Sequence, residues 1–104
     1  MFDYDIVNTI VNRIVEKFSP QKIIVFGSVA SHTATEGSDV DILVVMDTKD
    51  ESFYRSIPID ICLRDIIIDK DVIVVTPEEY ELKKNDEYSF VNDIVKTGYV
   101  AYEV

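Results

Sequence analysis

The run DILVVM, residues 41–46, constrains the fold more than any other part of this chain. After Asp41 it is apolar at every position, so both faces of the strand it forms must be covered. A strand facing water on one side would alternate instead. The run therefore predicts a central strand, read from Asp39 to Met46, inside a layered domain with helices on both faces of a sheet.

The surrounding pattern agrees with that reading. Ile6, Val7, Ile10, Val11, Ile14, Val15 and Phe18 recur at the spacing of one helix face, which predicts an amphipathic helix from about Asp3 to Phe18. Ser19 and Pro20 should stop it, since proline disfavours helix in the residue before it. KIIVFG then reads as a short buried strand ending at Gly27, and Asp71 to Val75 as a third strand. Thr76-Pro77-Glu78-Glu79 is a capping box with proline at the first helical position, so a helix starts at Pro77. ESFYRSIPIDICLRDIII fits both a helix and an alternating strand, and is read as a helix kinked at Pro58. A last helix from about Asp86 to Lys96, closed by Gly98, and a strand from Tyr99 to Glu103 complete the chain. Strands alternating with helices predict an α/β fold with a small mixed sheet flanked by helices. At 104 residues the chain should form one domain, 1–104.

Charge and composition exclude several classes. Ten basic residues against twenty acidic give a net charge of −10, which leaves little basic surface for general binding to DNA or RNA. The longest apolar runs, such as Ile42 to Met46 and Val72 to Val75, fall far short of the roughly 20 residues of a membrane span. MFDYDIVNTIV carries acids where an export signal carries basic residues, so a cytoplasmic location is expected. With one cysteine, Cys62, and one histidine, His32, neither an internal disulfide nor a zinc cluster can be built within the chain. A metal here would sit on oxygen.

The oxygen ligands are suggested by GSVASHTATEGSDVD, residues 27–41. Alternate strand residues share a face, so Asp39 and Asp41 project from the same side about 7 Å apart. Like charges at the mouth of an apolar strand repel and lose hydration, a cost that a cation would offset. Mg²⁺ suits such a site, because it takes one or two carboxylates and completes its shell with water and phosphate oxygens. Asp71 opens the third strand in the same manner, and three carboxylates would suffice for two Mg²⁺ ions. Upstream, Gly27 and Ser28 end a strand at an expected helix start, where a backbone can approach a phosphate. No lysine occurs between Gly27 and Asp41, so this is no P-loop. His32 reads as an exposed loop residue, Cys62 as a small core residue, and Tyr80, Tyr88, Tyr99 and Tyr102 as aromatics at the core's edge.

FGSVASHTATEGSDVDILVV resembles the signature of the DNA polymerase beta-type nucleotidyltransferase superfamily, in its minimal nucleotidyltransferase (MNT) branch. DVIVVTPEEYE and SFVNDIVKTGYVAYE are similar to that branch's third-carboxylate strand and C-terminal segment. The resemblance implies a polymerase beta-like fold and a Mg²⁺-dependent nucleotidyltransferase. It implies metal ligation and catalysis by Asp39, Asp41 and Asp71, and phosphate binding by Gly27 and Ser28. The expected donor is ATP or another nucleoside triphosphate, from which a nucleoside monophosphate, AMP in the leading case, passes to a hydroxyl.

The branch often serves as the antitoxin of a toxin–antitoxin system whose toxin is a helical HEPN ribonuclease, and some members transfer AMP to a toxin tyrosine. That gives two readings: an enzyme acting on a protein hydroxyl, or a non-catalytic antitoxin that masks its helical partner. Many relatives carry G-S-R-A-R-G, whereas this chain has Val29 and Ser31 in place of the arginines and His32 in place of the last glycine. Those departures favour the masking reading, and the intact acids favour the enzyme. Self-association as a homo-oligomer is open under either.

Overall fold

The computed structural model describes residues 2–104. Among these residues five α-helices and four strands follow one another as α1 (Asp5–Phe18), β1 (Lys22–Phe26), α2 (Gly27–Ala30), β2 (Val40–Val45), α3 (Ile57–Cys62), β3 (Lys70–Val75), α4 (Pro77–Lys83), α5 (Phe90–Thr97) and β4 (Tyr99–Glu103). The strands form one mixed sheet in the order β3-β2-β1-β4. β1 is antiparallel to β2 and to β4, while β2 and β3 run parallel.

As its apolar run requires, β2 is central, and five of its six residues, Val40 and Ile42 to Val45, are buried. One face of the sheet carries Ile23, Val25, Ile42, Val44, Val72 and Val74 against α1 and α3, through Ile10, Ile14, Ile59 and Leu63. The other carries Ile24, Leu43, Val45 and Val75 against α4 and α5, through Tyr80, Val91 and Ile94. Burial of each such side chain contributes roughly 1.5–3 kcal/mol, so the two apolar layers hold the sheet from both sides.

Several boundaries differ from the sequence reading, each for a local reason. α1 begins at Asp5 rather than Asp3, whose carboxylate instead accepts a hydrogen bond from the Asp5 N–H at 3.0 Å. The ambiguous segment resolves into a 3-10 turn at Ser52–Tyr54 followed by α3. Pro58 lies in the first turn of α3, where no N–H is needed, and so starts the helix instead of kinking it. The last helix begins at Phe90, not Asp86, because the Ser89 hydroxyl accepts from the Asn92 N–H at 3.0 Å and caps it. Gly98 follows that helix with an extended backbone instead of a left-handed cap. Its need for glycine is steric: a Cβ there would stand 2.6 Å from the Val25 carbonyl oxygen and 2.8 Å from that of Ile94. The capping box at Thr76 forms as read, with Thr76 Oγ1 accepting from the Glu79 N–H at 3.2 Å and Glu79 Oε1 accepting from the Thr76 N–H at 2.8 Å.

Among the described residues no helix is long and apolar enough to cross a membrane.

Candidate functional site

The antiparallel turn-back between β1 and β2 brings Gly27, at the end of one strand, beside the start of the other. In that register Phe26 lies opposite Asp41. Parallel pairing on the far side of β2 sets Asp41 opposite Asp71. The sheet thus lines up Gly27, Asp41 and Asp71 across three adjacent strands, with Asp39 just ahead of β2. β1 contributes to this line from its carboxyl end. Because β2 and β3 run the opposite way, their contributions come from their amino ends.

Asp41 alternates with Leu43 and Val45 along β2, and so emerges on the face covered further along by α4 and α5. That cover stops short of the acids: Asp41 is half-buried, and Asp39 and Asp71 are exposed. Burial pushes the Asp41 carboxyl above its ordinary range, and the charges of Asp71 and then Asp39 push it the same way. All three acids therefore share one electrostatic site.

Gly27 is built around Asp41. Its φ is +73°, a conformation that favours glycine. A Cβ there would stand 2.2 Å from Asp41 Oδ2, inside any permissible contact. The carboxylate lies over the bare Cα, at the point where α2 starts. Ser28 is the next residue of that single-turn helix, and its carbonyl accepts from the Thr33 N–H at 2.9 Å. The loop from Ser31 to Asp39 is held by bonds of its own, among them Thr35 N–H to Ser38 Oγ at 2.8 Å.

The two positions that depart from the arginine pattern lie in different environments. Val29 is fully buried and packs in the core on the α1 side of the sheet. Ser31 is exposed, at the end of α2, with its hydroxyl 2.8 Å from that of Thr33. His32 is exposed, adopts φ +60°, and its ring lies 5.7 Å from that of Tyr4. Cys62 is half-buried, and its carbonyl accepts from Arg13 at 3.3 Å. Of the tyrosines, Tyr80 is buried, Tyr102 half-buried, and Tyr88 and Tyr99 are exposed.

Two features escaped the sequence reading. Asp60 of α3 lies close enough to Asp71 and Lys70 to feel both charges, and its carboxyl is raised chiefly by burial. Nothing local marks it, since it falls in the segment whose secondary structure was ambiguous. The other is an aromatic pair beside the acids, Phe26 edge-on to Phe90 with centroids 6.0 Å apart. The capping serine at 89 could have announced that Phe90 begins a helix.

The donor set fits a hard divalent cation: oxygen only, with one carboxylate fixed over Gly27 and two exposed ones able to turn toward it. As the side chains stand, no three His, Cys, Asp or Glu groups among the described residues close around a common point. Ligands from the substrate would have to complete the shell.

Among curated proteins none matches this chain. Two of the solved structures that share its fold show the likeness. One, from Sulfolobus solfataricus and provisionally described as a nucleotidyltransferase, is 24% identical, with a TM-score of 0.64 over 95% of this chain and 78% of its own. The other, a toxin–antitoxin with AMP-PNP, is 20% identical, with a TM-score of 0.66 over 93% of this chain and 73% of its own. The profile of the nucleotidyltransferase domain matches residues 7–101, a span that runs from α1 into β4 and includes β1, β2 and β3 with Asp39, Asp41, Asp60 and Asp71. On that match, the chain belongs to the nucleotidyltransferase domain family.

Proposed function

We propose that this protein is a Mg²⁺-dependent nucleotidyltransferase that moves a nucleoside monophosphate, AMP from ATP in the leading case, onto a protein hydroxyl. The observation that carries the reading is the alignment of Gly27, Asp41 and Asp71 across three adjacent strands, with Asp41 coupled electrostatically to both other acids. Asp39 and Asp41 would hold the ion that accompanies the nucleotide, and Asp71 with Asp41 a second one. Bound there, the ions would neutralise phosphate charge and favour ionisation of the acceptor hydroxyl. Gly27 and Ser28 would receive the phosphates, since no side chain at 27 keeps them from the backbone.

The chain's own groups then divide the work. The acceptor O–H gives its proton to Asp71, its oxygen forms a bond to the α-phosphorus, and the bond from that phosphorus to the bridging oxygen breaks, so that pyrophosphate leaves. Positioning and charge stabilisation carry most of such a reaction.

The acceptor follows from the family resemblance together with the toxin–antitoxin neighbour: a tyrosine of a HEPN-type helical partner. The second reading, a non-catalytic antitoxin that masks that partner, is favoured by a specific observation. Val29 is sealed in the core, so no arginine can serve phosphate from that position without repacking.

Calorimetry and transfer of labelled AMP separate the readings. Mg²⁺ and ATP should each tighten the other's binding. Asp39→Asn and Asp41→Asn should lose binding and transfer together. Asp71→Asn should keep Mg·ATP binding while losing transfer by about 100-fold or more, the usual scale of general-base assistance. Neutralisation of the partner by a variant with all three aspartates replaced, alongside a wild type that transfers nothing, would establish masking instead.

A further inference from the structure

Among the described residues β3 has a sheet neighbour on one side only. On that side the Asp69 and Val75 carbonyls accept from the Val40 and Met46 N–H groups at 2.9 and 3.0 Å. Backbone groups alternate in direction along a strand, so the N–H and C=O of Val72 and Val74 point the other way, to the outer edge. Alongside that edge runs a groove of about 540 Å³ floored by Val72–Val75, with Ser56 on one wall and Lys83 and Phe90 on the other. Both valines are more than nine-tenths buried, so the edge is recessed between the walls. Arg55 and Glu79, paired at 2.6 Å, tie the walls together beside Thr76. Asp71 is the second residue from the opposite end of the strand.

From this arrangement we infer that the outer edge of β3 is the docking groove for the acceptor protein, which lays an extended segment along Val72–Val75 and brings its hydroxyl to Asp71. The inference rests on the transfer reaction proposed above. It follows from the order of groups across the sheet: Gly27 lies on the β1 side of Asp41, and Asp71 and the groove lie on the other. An acceptor entering along β3 meets Asp71 without crossing the phosphate position. Added strands are recognised through backbone hydrogen bonds, with side chains seated alternately. At about 3.3 Å per residue, the floor takes roughly four residues of such a segment.

Charge specifies the chemistry of the segment further. Asp50 and Glu51 precede one wall, Asp86 and Glu87 precede the other, and all four are exposed. Arg55 is engaged by Glu79, leaving Lys83 as the cation of the lining. Phe53 and Tyr88, neighbours in sequence of the lining residues Ser52 and Ser89, are exposed. The segment should be basic and β-branched, with a tyrosine, serine or threonine at the end that reaches Asp71.

Amide hydrogen exchange on the full chain tests this without any transfer reaction. The probe is a synthetic peptide of about eight residues, long enough to overrun the floor at both ends, alternating valine and threonine between lysines and ending in tyrosine. Its addition should slow exchange at Val72 and Val74 by more than tenfold, leave Ile73 and Val75 unchanged, and shift the Asp71 amide signal. Lys83→Glu, on an exposed position, should tighten binding severalfold. Absence of slowing at Val72 and Val74 would overturn the inference. So would slowing that depends on protein concentration alone, which would assign the edge to a second copy. Slowing without a change at Asp71 would refute the acceptor role. Loss of AMP transfer with these signatures intact would count against the reaction and leave the groove standing.

Discussion

Asp41 is the residue on which charge, burial and backbone shape meet. It is half-buried, faces two other acids, and occupies the space that a side chain at Gly27 would fill. Without a cation the first two effects oppose folding, so Asp41→Asn should raise the metal-free melting temperature while removing metal binding, as thermal unfolding with and without Mg²⁺ would record. The family's arginine positions provide a second residue-level test. Val29→Arg would bury a guanidinium with no partner and should cost about 3 kcal/mol or more, measured by urea unfolding. Ser31 is exposed and close to the Gly27-Ser28 turn proposed to receive phosphates, so Ser31→Arg should be tolerated and tighten ATP binding severalfold by calorimetry. Sequence alone showed that two arginines were missing but could not distinguish these cases, because burial at 29 is set by where a single-turn helix leans.

Among the elements, α4 depends most on one charged residue. Glu79 accepts from the Thr76 N–H and from Arg55, and both bonds, the backbone one first, lower its carboxyl below the usual range. A carboxyl with a lowered folded-state pKa binds fewer protons in the folded chain than in the unfolded one. Its contribution is therefore complete above the ordinary glutamate value, about 4.5, and is lost as pH falls through the lowered value. Glu79→Gln should cost about 1–2 kcal/mol near neutral pH, with the difference from wild type closing as pH falls through the carboxylate range. Chemical unfolding at several pH values would show it. This box was legible in the sequence because all its parts lie within four residues. The segment from Glu51 to Ile68 was not, since Ile59 and Leu63 satisfy both periodicities and only packing on Val72 and Val74 decides between them.

For the whole molecule, the layers and the central position of β2 could be read from one apolar run. The direction of the strands could not, because hydrophobic pattern carries no polarity. Juxtaposition of Asp41 with Asp71 was likewise only a supposition before β2 and β3 were seen to run parallel in register. The net charge of −10 gives no fold, but it sets what the surface will accept, which is a basic partner before an acidic one.

That strand arrangement also sets an order of events during folding. Gly27 and Asp41 meet across a short antiparallel loop, whereas Asp71 must wait for the crossover of residues 46–69 to close, and longer closures cost more chain entropy. Conservative truncations at Ile24 and Leu43 should slow refolding, with φ-values well above that of Val74, whose truncation should mainly speed unfolding. Stopped-flow kinetics on the three variants would establish the ranking. The nascent protein would then bring Gly27 and Asp41 together first and acquire Asp71 beside them last.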